Sequence, residues 1–147
     1  MNALVQLAAI TAIATAAAGT TWLIVGPPKS PPVVTCDPEE LKPDEICPAD
    51  VSGKVLWVDA RPRSDWENDR VNGAILWNLD PKEDQLVFEA EASARIFEAE
   101  LVVVYCGSEK CDISKQVADR IRGLQLGPPV KVVKGGWKAM EASRPKP

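Results

Sequence analysis

The chain has 147 residues, 26% of them charged, with a formal net charge of −4 and no histidine. That length suits one domain and little more, and an acidic chain without a stripe of Lys and Arg argues against a nucleic-acid partner. The absence of His removes the commonest metal ligand and the commonest general base, so any chemistry falls to thiols, carboxylates, backbone dipoles, Lys or Arg.

The first 28 residues carry no charged side chain. Ala3 to Val25 is long and apolar enough for a membrane-spanning helix, which needs about 20 such residues. Gly26, Pro27 and Pro28 stop it, and Trp22 sits where an interfacial aromatic helps. A cleaved signal peptide is the rival reading. It is disfavoured because the segment lacks a basic start and its most apolar part follows Ala16-Ala17-Ala18. The sequence therefore predicts a retained single-pass anchor over residues 1 to 26 and a membrane location. Lys29 mildly favours a cytoplasmic domain, and the side is left open.

Residues 27 to 50 are rich in Pro and predict an extended spacer. Cys36 and Cys47 lie in it. Two readings stand: a disulfide in an oxidising space, or two incidental thiols. The choice turns on their Cα separation, which the sequence does not give.

Residues 51 to 147 predict the folded domain. Val55 to Val58 is a short strand ending in Asp59, Ser64 to Asn68 a helical turn, and Ala74 to Leu79 a second strand. Asp84 to Ala99 is a helix with Leu86, Val87, Ala90, Ala94 and Ile96-Phe97 on its inner side. Leu101 to Tyr105 is apolar throughout, as suits a strand buried on both faces. Ile113 to Leu124 is an amphipathic helix with Ile113, Val117 and Ile121 on one line. Val130 to Val133 is a last strand, and Gly135-Gly136-Trp137 opens a short helix. Alternating strands and helices predict an α/β fold with a doubly wound, mostly parallel sheet of about five strands. Trp57, Trp66, Trp77 and Trp137 read as packing, since no basic groove accompanies them. Gly135-Gly136 reads as a tight turn.

In such sheets ligands bind at the carboxyl ends of the strands. Leu101 to Tyr105 ends at Cys106, and Gly107-Ser108-Glu109-Lys110-Cys111-Asp112 leads into the next helix. A strand–loop–helix turn aims backbone N–H groups inward and adds the positive end of the helix, which favours a thiolate. Cys106 is the candidate nucleophile. Cys111, in the same loop, is a candidate resolving thiol, or else a small packed residue. Ser114 reads as an ordinary first-turn residue. No cofactor is expected. Cys106, Cys111 and Asp112, without His, make a poor metal site.

Val-Leu-Trp-Val-Asp-Ala-Arg at 55–61, Trp66 and Asn72-Gly73-Ala74-Ile75, followed by Val-Val-Val-Tyr-Cys at 102–106, Val117-Ala118 and Val132-Val133-Lys134-Gly135-Gly136-Trp137, together resemble the rhodanese-like family in order and spacing. The resemblance runs from about Val51 to Met140. It implies a sulfurtransferase that carries sulfane sulfur as a Cys106 persulfide to a thiol acceptor, with Asp59 and Arg61 as structural support. Two departures matter. Asp69-Arg70-Val71 replaces the family's Gly-His-Ile, and Cys111 or Asp112 stands where an Arg usually closes the loop. Five residues separate Cys106 from Asp112, the longer loop of the family's phosphatase and arsenate-reductase branch. Yet Glu109 and Asp112 have the wrong sign for an oxyanion, and Lys110 offsets them only in part. The expected partners are therefore a low-charge persulfide donor and a thiol acceptor or partner protein. Alternatives are a thiol–disulfide module using Cys106 and Cys111, or a non-catalytic interaction domain on a membrane tether.

Overall fold

The computed structural model describes Asn2, residues 36 to 107 and residues 112 to 143. The chain divides into two compact units, Met1–Pro32 and Val33–Pro147, and the fold below belongs to the second. The anchor expected over residues 1 to 26 lies outside the described residues apart from Asn2. Among the described residues, no helix is long and apolar enough to cross a membrane.

The elements run β1 (Glu45–Ile46), β2 (Val55–Asp59), α1 (Arg63–Asn68), β3 (Ile75–Leu76), α2 (Gln85–Phe97), β4 (Leu101–Tyr105), α3 (Ile113–Gly123), β5 (Val130–Val133) and α4 (Gly136–Ser143). They form a five-stranded sheet in the order β1-β5-β4-β2-β3, parallel throughout. The expected α/β class and strand number hold. β2 and β4 pair along their whole length, Val55 with Leu101 through Asp59 with Tyr105, so both strands end at the same level.

β4 is the middle strand, and Val102, Val103, Val104 and Tyr105 are fully buried. Side chains alternate across a strand, and that alternation divides the core. Val102, Val104 and Cys106 share one layer with Leu56 and Val58 of β2, Phe88, Ala92 and Ile96 of α2, and Val117, Ala118 and Ile121 of α3. Val103, Tyr105 and Val133 share the other with Trp137 and Met140 of α4. The parity of β4 thus aims Cys106 towards the α2/α3 layer.

Three sequence expectations are corrected. In α2 the buried residues are Phe88, Ala92 and Ile96, whereas Leu86 and Phe97 are 73% and 76% exposed and Val87 is also exposed. The helix carries apolar residues on two opposite stripes, so periodicity alone could not choose between them. The sheet takes the stripe headed by Phe88, with Asp84 capping the helix through Leu86 N at 2.9 Å. In α3 the inward line is Ser114, Val117, Ala118 and Ile121, and Ile113 is 39% exposed. β3 is also shorter than expected: after Trp77 donates to the Asp59 carbonyl at 2.9 Å, Asn78 Oδ1 accepts from Asp80 N and turns the chain away.

Part of the expected spacer belongs to the sheet. Two 3-10 turns, Pro38–Glu40 and Pro48–Asp50, flank β1. β1 is held to β5 by Val132 N to the Asp44 carbonyl and Lys134 N to the Ile46 carbonyl. Cys36 and Cys47 form a disulfide across a Cα separation of 5.6 Å, and Cys47 is buried. Of the two readings left open for these thiols, the bonded one holds.

Candidate active site

The carboxyl ends of β2 and β4 meet where Ala60 N donates to the Tyr105 carbonyl at 2.8 Å. Cys106 follows directly, 2% exposed. Its carbonyl accepts from Trp137 N at 2.7 Å, which ties the turn to the start of α4. Its Sγ accepts from the Ser114 hydroxyl at 3.3 Å. Ser114 lies in the first turn of α3 and is itself buried. The thiol therefore meets a hydroxyl donor in the first turn of a helix.

Sequence reasoning missed Ser114. The signal was present: Ser114 falls on the same helical line as Val117, Ala118 and Ile121, and a polar residue on an inward line needs a partner.

Of the other loop residues, Ser108, Glu109, Lys110 and Cys111 lie outside the described residues. Gly107 is exposed, and a Cβ added to it meets nothing within 4 Å. The Asp112 side chain is 81% exposed and lies 3.9 Å from Lys115 Nζ; it does not cap α3. Its carboxylate therefore faces solvent.

Asp59 and Arg61 form a buried brace beside the Tyr105 and Trp137 rings. Arg61 Nε lies 3.0 Å from Asp59 Oδ1 and Nη2 2.7 Å from Oδ2, and Arg61 N donates to Oδ1 as well. Nη2 also donates to the Asp69 carbonyl. The guanidinium carbon sits 3.9 Å from the centre of the Trp137 ring, and that ring stacks on Tyr105 with centroids 5.5 Å apart. Burial works to lower the Arg61 pKa, but the hydrogen bond and charge of Asp59 outweigh it and the net shift is upward. Burial, reinforced by the Asp59 carboxylate, raises the Tyr105 pKa well above the usual phenol range. One arginine thus joins the end of β2, the Asp69 turn and the Trp137 indole, and Trp137 in turn holds the Cys106 carbonyl. This guanidinium is engaged in the brace. Among the described residues, no cluster of His, Cys, Asp and Glu is arranged to hold a metal ion.

Residues 49–143 match the family model for the rhodanese-like domain. The chain belongs to the rhodanese-like domain family. No curated protein matches the sequence. Among solved structures, the rhodanese-like domain is similar to the As-Sb reductase from Leishmania major, at 23% identity and a TM-score of 0.49 over 59% of this chain and 62% of that one. It is also similar to the BH2092 protein from Bacillus halodurans, at 22% identity and a TM-score of 0.46 over 60% of this chain and 58% of that one. The chain spans less than two thirds of the length of each of these two proteins.

Proposed function

We propose that this rhodanese-like domain is a sulfur carrier. Cys106 takes sulfane sulfur from a donor R–S–S–H. The Cys106 thiolate attacks the outer sulfur, a bond forms to Sγ, the donor S–S bond breaks, and R–S⁻ leaves and takes up the proton. An acceptor thiolate then attacks the outer sulfur of the Cys106 persulfide and restores the Cys106 thiolate. Sulfur changes owner and no external oxidant is needed. The observation that carries this reading is the Ser114 hydroxyl donating to Cys106 Sγ at the end of β4. A purely packed Cys in an apolar layer has no need of such a donor. The test is intact-mass analysis of the full chain after exposure to sulfane donors. The expected result is gain of one sulfur atom on Cys106, absent in Cys106→Ser. No adduct from any donor, with Cys106 reduced and open to alkylation, defeats the reading.

The near-complete burial of Cys106 supports a second reading, a non-catalytic interaction domain. In that case Cys106→Ser leaves cellular function intact.

The proposal includes a membrane tether formed by residues 1 to 26, with the Cys36–Cys47 bond favouring the oxidising face over the weak opposite pull of Lys29. Recovery of the chain in the membrane fraction after alkaline washing, with Cys36 and Cys47 refractory to alkylation until reduced, is the expected result. Release by the wash, or free thiols at both positions in intact cells, counts against it.

A further inference from the structure

We infer that the Cys36–Cys47 disulfide is a redox clasp on the sulfur-carrying site: closed, it keeps Cys106 shut in, and its reduction by a dithiol reductant gives access to the thiol; this rests on the sulfur-carrier reading above.

The bond closes a ring of chain around β1. β1 has two residues and lies at the edge of the sheet. So short an edge strand has few backbone hydrogen bonds of its own, and ring closure limits its freedom to leave. Its contacts all run one way. Val132 N donates to the Asp44 carbonyl and Lys134 N to the Ile46 carbonyl. The Lys131 ammonium donates to the Pro43 carbonyl, and Lys134 Nζ lies 3.8 Å from Glu45 Oε2. Each of these contacts lands on β5 or on Lys134 directly after it.

The same stretch of chain holds the thiol at its other end. Just past Lys134, Trp137 N donates to the Cys106 carbonyl at 2.7 Å, and the Trp137 ring stacks on Tyr105. Gly135 and Gly136, both at positive φ, make the tight turn between the two tethers. A second route runs through packing. Ile46, beside Cys47, packs on the layer of Tyr105, Val133, Trp137 and Met140, and the 3-10 turn Pro48–Asp50 packs against α4. Opening the ring therefore loosens β1, then Lys134 and α4, and with them the hold on the Cys106 carbonyl. Local opening of this kind governs access to a thiol that is 2% exposed.

The reduction balances. Cys36 is half-buried and Cys47 buried, so the thiolate of the reductant attacks Cys36 Sγ. The Cys36–Cys47 bond breaks, and Cys47 leaves as a thiolate and takes up a proton. The second thiolate of the reductant then displaces Cys36 from the mixed disulfide. Two electrons and two protons pass to the chain, and the reductant departs as its own disulfide.

The test follows Cys106 in the full chain, oxidised or reduced by a dithiol, and in a Cys36→Ser/Cys47→Ser variant, with adducts located by peptide mass. Reduction, or the double substitution, is expected to speed alkylation of Cys106 by about ten-fold, and reoxidation of the parent chain is expected to reverse the gain. Sulfur gain from a sulfane donor, compared between the oxidised parent and the double variant so that no reductant is present, is expected to rise by the same factor. Hydrogen exchange is expected to show the Lys134 and Trp137 amides losing protection while those of Val103 and Val104 keep theirs. Equal or slower alkylation of Cys106 with the ring open overturns the clasp. Equal loss of protection at all four amides overturns it as well, since that marks general loosening. Faster alkylation with the ring open, but no sulfur gain in either form, overturns the carrier reading and leaves the clasp as a control on the thiol.

Discussion

The Ser114 hydroxyl points its hydrogen bond at Cys106 Sγ from eight residues further along the chain, with both side chains buried. The link joins the strand that ends at the thiol to the helix that begins behind it, so the sulfur is oriented by the layer it packs in.

Replacing Ser114 with Ala removes that donor at little change in volume. Alkylation of Cys106 at neutral pH is expected to slow by about three- to ten-fold, while stability falls by about 0.5–1.5 kcal/mol, the usual net value of one hydrogen bond. Thiol-labelling kinetics beside a denaturant titration separate the two effects. An unchanged labelling rate refutes a role for Ser114 at the thiol.

The Asp59–Arg61 pair behaves as one unit. Asp59 is fully buried and Arg61 nearly so, so Arg61→Leu strands a buried carboxylate and is expected to destabilise by about 3–5 kcal/mol. Arg61→Lys keeps the charge but loses the paired contacts and the flat stack on Trp137; it is expected to recover only part of the loss. Urea midpoints of the two variants test this, and near-equal midpoints with the parent chain exclude the brace.

Tyr105 is the only tyrosine, so tyrosinate absorbance reports it alone. Burial and the Asp59 carboxylate raise its pKa above the ordinary phenol value of about 10. A group whose folded pKa is raised stabilises the fold fully below its unfolded pKa, and that contribution is lost as pH climbs above it towards the folded value. Stability is therefore expected to fall from about pH 10 upward, by as much as about 1.4 kcal/mol per pH unit for one proton. The folded chain is expected to show no tyrosinate band where the denatured chain already does. Coincident titration of the two forms contradicts this.

The two phenylalanines of α2 differ sharply. Phe88→Ala empties a site that is 5% exposed and is expected to destabilise by about 3–5 kcal/mol. Phe97→Ser acts on a side chain that is 76% exposed and is expected to stay within about 0.5 kcal/mol. Thermal midpoints of the two variants decide, and the reverse order places the wrong stripe against the sheet.

Cys47→Ala opens a covalent ring between positions separated by 11 in sequence. A loss of about 2–4 kcal/mol is expected, focused on the edge of the sheet. The Val132 and Lys134 amides, which bond to Asp44 and Ile46, are expected to lose hydrogen-exchange protection before the β4 amides do. Uniform loss across the sheet excludes a local clasp.

The class of fold and the end of the molecule that carries the thiol were legible from the sequence. The Leu-Val-Val-Val-Tyr run of β4 is apolar at every position, and only a strand covered on both faces uses such a run. A Cys directly after it falls at the carboxyl edge of the sheet whatever the details of packing. The order of motifs from Asp59 to Trp137 likewise carried the family, because these residues occupy local turns and strand ends that short stretches of chain specify by themselves.

Contacts between distant segments were not legible. No local rule chooses between the Phe88 and Phe97 stripes of α2, since both repeat at helical spacing; the sheet decides by which stripe it covers. The spacer read from its prolines still supplies an edge strand, because pairing with β5 and closure of Cys36 on Cys47 depend on segments brought together only by folding. Ser114 gained its role in the same way: strand parity sets the direction of Cys106, the docking of α3 sets the height of its first turn, and the hydrogen bond exists only where those two independent placements coincide.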